Sequence, residues 1–438
     1  MNPQIIAVRE LFSKLERNGV RYCVLRNYGF LLDEKIPWES LDISIAKDDF
    51  LKADAILGQE GFSRRKPQFS LRHRAYFKLI RDTIVSFDVQ VGGVYWNDMS
   101  YLGESIFKHR IKKSFFYVPS DNDTFVMLTA HSILGKRYFK PKYQQILSSL
   151  QIEGDYVLQE LSVIFSQRIA KSLLQSIRHN DFKHIKIYSP LFHFLFKEWQ
   201  HLKTFSLLSL RWLRWKKFLQ PWPLISIIGP DGAGKSTAVN SLNIFLKENH
   251  FSTALIYTGR GRNHFLPMTM IGKAYKRAEK KNDFAASAES GCLDIRKKSL
   301  GGGSARRILY MLAAPIFTLD LLLRYYFRIF PQRMAKKVVI TDRYCSDILL
   351  MKNVPLGLKR SLLKLFPKPT ITFYLYNSPR ILHQRRPQES VEELSRQLKL
   401  FEELNGPLKL MRVITEDQNK DRQKILAETV DYLYKNWY

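Results

Sequence analysis

Cysteine is scarce in this chain: Cys23, Cys292 and Cys345 are the only three in 438 residues, and they lie far apart. Such spacing fits neither a disulfide framework nor a cysteine-based metal site, so a reducing compartment is the simplest expectation. Acidic residues are also in deficit, with 40 Asp and Glu against 70 Lys and Arg, a formal net charge of +30. A surface of that sign attracts phosphates, nucleic acid or acidic lipid without choosing among them. Long apolar runs are missing as well. The longest, ILYMLAAPIFTLDLLL at 308–323, is broken by Asp320 and followed by Arg324 and Arg328. Crossing a bilayer takes about 20 largely uncharged residues, so this run reads as a buried helix. The opening MNPQIIAVRELFSKLERNGV carries Glu10 and Glu16 in an amphipathic pattern, with no apolar core or small-residue cleavage site. No secretion signal is expected there, and a cytoplasmic location is.

The length suffices for two or three domains, each with its own core. Three regions separate by pattern, with no internal repeat and one low-complexity patch, SLGGGSA at 299–305, which reads as a loop. Residues 1–150 mix helical periodicity with strand-like runs, YCVLR (22–26), LDISIA (41–46) and IVSFDVQV (84–91), and suggest a small α+β domain. Residues 151–220 read as a helical connector ending in a basic and aromatic stretch. Residues 221–438 alternate helix-length segments with five strand candidates at 224–228, 253–258, 337–341, 370–376 and 410–415. Most are continuous apolar runs, as in strands buried on both faces, so an α/β domain with a five-stranded parallel sheet flanked by helices is expected. Its ligands belong beyond the carboxyl ends of the strands.

The first of those strands runs into Gly229-Pro-Asp-Gly-Ala-Gly234-Lys235-Ser236-Thr237. This satisfies G-x-x-x-x-G-K-[ST] in the right context, between a strand and a helix whose Val239, Leu242, Phe245 and Leu246 share one face. Glycines let successive N–H groups aim at phosphate oxygens, and the helix N-terminus adds its positive dipole end. Gly229, Gly232, Ala233, Gly234, Lys235, Ser236 and Thr237 are therefore the candidate ATP-binding residues. Lys235 suits the β and γ phosphates, and Ser236 suits Mg²⁺. Asp342-Arg343-Tyr344 follows the 337–341 strand: an aspartate there can hold the metal or its water, and a guanidinium can fork onto an acceptor phosphate. NSPRILHQRRPQESVEELSRQLKLFEEL at 377–404 brings Arg380, Arg385 and Arg386 on a helix before a polar break, and arginines on a moving segment can stabilise phosphoryl transfer.

GPDGAGKST, the DRY tripeptide and the arginine-bearing lid, in that order, resemble the thymidylate kinase superfamily over residues 221–438. The resemblance implies a P-loop kinase fold and dependence on ATP and Mg²⁺. It also gives Asp231 a contact to an acceptor sugar hydroxyl, and Lys235, Asp342, Arg343, Arg385 and Arg386 the catalytic roles. Two departures concern the acceptor. Tyr257-Thr-Gly-Arg260-Gly-Arg262 stands where thymidylate kinases carry a REPGGT-like segment, and DRYCSDILLMKN lacks the S-x-x-A-Y-Q glutamine that meets the base. DRYCSDILL with its lid looks more like the thymidylate-kinase-like proteins found among bacterial surface-polysaccharide genes. On that resemblance Asp231, Arg260, Arg262, Arg343 and Tyr344 are the acceptor-binding candidates. The acceptor itself is expected to be a phosphorylated nucleoside, a sugar-type small molecule or a glycan.

YCVLRNYGFLL, WESLDISIAKDDF and IVSFDVQV resemble the nucleotidyltransferase fold, in which a D-x-D and a third acid bind two metals. Aligned by apolar neighbours, those positions hold Ser40, Asp42 and Asp88, so a degenerate substrate- or partner-binding module is expected, with Asp42 and Asp88 as its candidate site. RWLRWKKFLQPW at 211–222 interleaves aromatics with cations, which suits packing on the next domain, the anionic inner face of a membrane or, less well, nucleic acid. A homodimer is one assembly open to the chain. Beside a kinase, two readings remain open: a bifunctional nucleotidyltransferase–kinase of surface-polysaccharide metabolism, and a non-catalytic nucleotide-responsive binding protein.

Overall fold

The computed structural model describes residues 2–65, 70, 72–214, 220–259, 264–266, 314–351 and 354–436. Arg260, Arg262, Cys292, the 299–305 loop, residues 308–313 and the side chains of 211–219 lie outside the described residues. The chain divides into two units, residues 1–217 with 434–436, and residues 218–433. Among the described residues no helix is long and apolar enough to cross a membrane.

In the first unit the apolar runs YCVLR and LDISI become β1 (Tyr22–Arg26) and β2 (Leu41–Ile45). They join β3 (Ser63–Arg64), β4 (His73–Ile80) and β5 (Thr83–Val91) in a sheet of order β1-β2-β5-β4-β3. β2 and β5 are parallel and the other pairs antiparallel. Two hairpins follow, β6 (Val94–Trp96) with β7 (Met99–Leu102), and β8 (Ile111–Lys113) with β9 (Phe116–Val118). The opening helix Pro3–Arg17 starts where proline can, with Asn2 accepting from the Gln4 amide, and puts Val8, Leu11, Phe12 and Leu15 into a core with Val24, Ile43 and Phe87. Residues 151–217, most of the helical connector expected at 151–220, group with this unit. Val157, Leu161, Leu173 and Phe194 from that stretch share a second core with Phe125 and with Cys23 and Leu25 of β1. A helical stretch with a wide apolar face has to bury it somewhere, and the unit's own sheet supplies the surface.

The second unit is a five-stranded sheet flanked by helices. Its strands are β10 (Leu224–Ile228), β11 (Thr253–Tyr257), β12 (Val338–Asp342), β13 (Ile371–Tyr376) and β14 (Leu410–Ile414). The order is β11-β12-β10-β13-β14 and every pairing is parallel. β10 sits centrally and all five of its residues are buried, whereas the edge strands β11 and β14 leave residues such as Leu255 and Ile414 exposed. The connection after β10 leads to β11 on one side, and the connection after the neighbouring β12 leads across to β13 on the other. Loops that part in this way open a crevice at the carboxyl ends of two adjacent strands. The register sets Ile227 beside Asp342 at that end.

Candidate functional site

Past Ile228 the chain turns through Gly229 to Gly234 and enters the helix Lys235–Glu248, which buries Val239, Leu242, Phe245 and Leu246 on β10 and its neighbours. Gly229, Gly232 and Gly234 have φ of +151°, +85° and +79°. A Cβ on Gly229 would lie 2.2 Å from the Leu375 carbonyl oxygen of β13, and one on Gly232 would lie 2.8 Å from the Leu382 carbonyl oxygen. Gly234 meets nothing among the described residues within 4 Å and is needed for its angle. The turn is thus held against two backbones, with its far end at the positive pole of a four-turn helix.

At the end of β12, Arg343 takes φ +69°, which costs a bulky residue about 1–2 kcal/mol. Two bonds offset it: the Arg343 amide donates to the Ile227 carbonyl at 3.0 Å, and its carbonyl accepts from the Thr258 hydroxyl at 2.8 Å. The result swings the guanidinium over the glycine turn, where it donates to Asp231 at 2.5 Å and to Asp347 at 3.4 Å. Lys235 is buried, and its ammonium donates to the Pro230 carbonyl at 2.7 Å and to Asp231 at 3.3 Å. Arg386 stands 3.9 Å from the same carboxylate. Burial alone would raise the Asp231 carboxyl, but Lys235, Arg343 and Arg386 hold it below the ordinary carboxylate range. Burial, and then Arg343, push the Lys235 ammonium below its ordinary value against the pull of Asp231.

These groups line a cleft of about 310 Å³ together with Ser236, Tyr257 and Asp342. Its charged lining is three cations against two carboxylates, Asp231 and Asp342. A second cavity of about 350 Å³ lies on the other side of the turn, bounded by Thr237, Ala238, Leu375, Arg385, Thr415 and Arg422. Its exposed lining is mostly apolar with a smaller polar part, a surface suited to a flat ring with a polar edge.

The arginines of the 377–404 segment take different places. Ser378 caps the helix Pro379–Arg385 by accepting from the Ile381 amide. Arg385 donates to the Thr415 carbonyl at 2.7 Å and to its hydroxyl at 3.0 Å, so it borders the second cavity. Arg386, just beyond the helix, borders the charged cleft, and Arg380 is exposed and borders neither. Tyr344, expected at the acceptor, is instead core: it is 2% exposed, packs its ring on Phe366, and donates to the Pro367 carbonyl at 2.6 Å. The left-handed turn at Arg343 aims consecutive side chains apart, one to the cleft and one inward.

Ser236 donates to Asp342 Oδ2 at 2.9 Å across 106 residues of sequence. The other carboxylate oxygen, Oδ1, is buried with no hydrogen-bond partner among the described residues, a costly arrangement for a carboxylate oxygen. A hydroxyl and a carboxylate oxygen are hard ligands that suit Mg²⁺, which draws its remaining ligands from water and phosphate rather than from a protein cage. No group of three or more His, Cys, Asp or Glu side chains fit to hold a metal occurs among the described residues.

In the first unit Asp42 and Asp88 are register partners on the parallel strands β2 and β5. Arg26 donates to Asp42 at 2.5 Å and Asn27 at 3.1 Å. Burial, and then the Asp42 charge, raise the Asp88 carboxyl above its ordinary value. Ser40 is exposed, with its hydroxyl 3.4 Å from the Ser86 carbonyl. A guanidinium already neutralises one acid of this pair.

One cluster escaped sequence reasoning. Asp320 and Arg324 are completely buried and pair at 2.6 Å. Asp320 Oδ1 accepts from the Phe265 and Leu266 amides at 2.7 and 2.9 Å, Oδ2 lies 3.0 Å from His264 Nδ1, and Arg324 donates to the Gly259 carbonyl at 2.9 Å. The chain leaving β11 is thereby pinned beside the cleft, so closely that a Cβ on Gly259 would come within 2.7 Å of Arg343 Cδ. The charge at 320 inside an apolar run was its only visible signal. No protein-family model and no curated protein matches the chain.

Proposed function

We propose that the second unit is a P-loop phosphotransferase of the thymidylate-kinase-like kind, dependent on ATP and Mg²⁺, that moves the γ-phosphoryl group to a phosphorylated nucleoside or sugar-type acceptor. The observation that carries this reading is the meeting of Ser236 with Asp342 beside a lysine and a glycine turn, with one carboxylate oxygen left over. Amides of the 229–236 turn and the helix N-terminus bind the donor's phosphate tail, and Lys235 neutralises it. Ser236 and Asp342 would hold a Mg²⁺, whose charge when bound would offset that of the donor phosphates. Arg343, fixed by its backbone bonds, presents a two-pronged donor to the acceptor phosphate, and Arg386 faces it from the other wall. Asp231 spaces these cations and meets the acceptor's hydroxyl. The second cavity, next to Arg385 and Thr415, takes the donor's ring.

The first unit is assigned to binding rather than transfer. A two-metal centre needs its carboxylates free and close in charge to the cations, whereas Asp42 is paired with Arg26, and burial and the Asp42 charge raise the Asp88 carboxyl above its ordinary value.

The test is ADP release by the intact chain with Mg²⁺ against nucleoside monophosphates, sugar phosphates and acidic glycans, with Lys235→Ala as control. Acceptor-dependent ADP release that the variant lacks is the expected result. Calorimetry that detects no ATP uptake in the presence of magnesium overturns the reading. ATP uptake with no turnover on any acceptor replaces it with a nucleotide-responsive binding protein.

A further inference from the structure

The helix Tyr188–Lys197 is apolar on both sides. Pro190, Leu191, Phe194 and Leu195 point into the core of the first unit. The opposite side carries Tyr188, Phe192 and Phe196 at intervals of four residues, and Trp199 opens the next helix beside them; these four are 63%, 54%, 66% and 77% exposed. Phe192 and Phe196 set their ring centroids 6.3 Å apart with the planes tilted by 37°. Along the helix Trp199–Arg214 the exposed face continues through Lys203, Leu207 and Leu210. A solvent-facing helix surface is ordinarily polar, and a row of exposed large aromatics marks a surface that something apolar covers.

The sequence around this row is strongly basic. Residues 182–217 contain eight Lys or Arg and a single acid, Glu198. Lys183, Lys186, Lys197 and Lys203 are all exposed. A second copy of the chain would bring the same cations against themselves, which disfavours self-association through this face. Nucleic acid would find cations and rings to stack on, but nothing for Leu207 and Leu210 to contact. A lipid headgroup region satisfies all three features at once, with phosphates for the lysines, an acyl boundary for the leucines and a mixed zone for Tyr and Trp.

We propose that the 188–210 face docks on the interface of an anionic lipid bilayer. The aromatic row lies at the boundary between headgroups and acyl chains, and Lys183, Lys186 and Lys203 sit against the phosphates. This surface belongs to the first unit and does not depend on the phosphotransfer reading.

The experiment is co-sedimentation of the intact chain with vesicles of phosphatidylcholine alone, or with about one third phosphatidylglycerol, at physiological salt. Hydrogen exchange is followed over 188–210. Binding to the anionic vesicles only, weakened by salt, with new protection over 188–210, is the expected result. A Phe192→Ser, Phe196→Ser, Trp199→Ser variant should lose at least about tenfold in vesicle affinity, and Lys183→Glu, Lys186→Glu, Lys203→Glu a similar amount. Because all these side chains are exposed, the melting temperature should not fall in either variant. Unchanged vesicle binding by the aromatic variant overturns the proposal. So does absence of vesicle binding, whether or not the same substitutions dissolve a dimer in ultracentrifugation or abolish retention on duplex RNA.

Discussion

Alanine in place of each glycine of the 229–234 turn should give a graded series whose order is fixed by geometry. At Gly234, φ is +79° and an added Cβ meets nothing among the described residues within 4 Å, so the left-handed backbone carries the penalty, about 1–2 kcal/mol. At Gly232 the same penalty is joined by a Cβ 2.8 Å from the Leu382 carbonyl oxygen. The helix carrying Arg385 must shift to relieve it, adding about 1–3 kcal/mol as in other overpacked sites. At Gly229 the Cβ would sit 2.2 Å from the Leu375 carbonyl oxygen. That oxygen belongs to a strand paired with β10 and has no room to yield, so the loss should reach about 4–5 kcal/mol. For a unit of about 200 residues each kcal/mol lowers the melting temperature by about 2–4 °C. Scanning calorimetry should therefore find Gly234→Ala a few degrees down, Gly232→Ala roughly twice as far, and Gly229→Ala lowest or not folded. ATP affinity, by titration calorimetry, should fall most steeply in Gly232→Ala among the variants that fold, since that change moves both the turn and Arg386. A Gly229→Ala protein as stable as Gly234→Ala would refute the packing argument.

Three further outcomes follow from single groups. Asp342→Asn keeps an oxygen for the Ser236 bond but loses the carboxylate charge, so Mg²⁺-dependent ADP release should fall about a hundredfold or more while metal-free nucleotide binding changes little; equal losses in both would show a merely structural role. Asp320→Asn leaves the fully buried Arg324 without its counter-charge and should cost about 3–5 kcal/mol in denaturant melts; a loss below about 1 kcal/mol contradicts the pairing. Asp231 is held below the ordinary carboxylate range, so its ionised form stabilises the fold above the unfolded value near pH 4 and that contribution fades as the pH drops through the folded one. The stability gap between the native chain and Asp231→Asn should accordingly be full at neutral pH and shrink on acidification, and a gap that widened toward acid would reverse the assigned sign.

The sheet of the second unit was largely legible in the sequence. Continuous apolar runs such as LISII and TITFYLY have few ways to be buried other than as interior parallel strands, and β10 and β13 lie within a residue of where those runs predicted. Gly229, Gly232 and Gly234 were legible as a turn because a glycine cluster after such a run marks positive φ, which the turn adopts. Tyr344 was misplaced because a tripeptide reveals neighbours in sequence, while the direction of each side chain depends on one backbone angle at Arg343. The separation of Arg385 from Arg386 was likewise invisible, since Thr415 reaches Arg385 from the far end of β14.

Local chemistry by itself determined the strands, the helix faces, the glycine turn and the surplus of positive charge, because each depends on residues within one turn or one strand of one another. Only the tertiary structure decided that Ser236 meets Asp342, that Arg26 neutralises Asp42, that Asp320 and Arg324 pin the chain beside Arg343, and that the aromatic row at 188–199 is left exposed on the first unit. Each of those is a contact, or an absence of cover, set by how distant segments pack. Burial energy and the pairing of charges act across the whole unit and leave no trace in the spacing of residues along the chain.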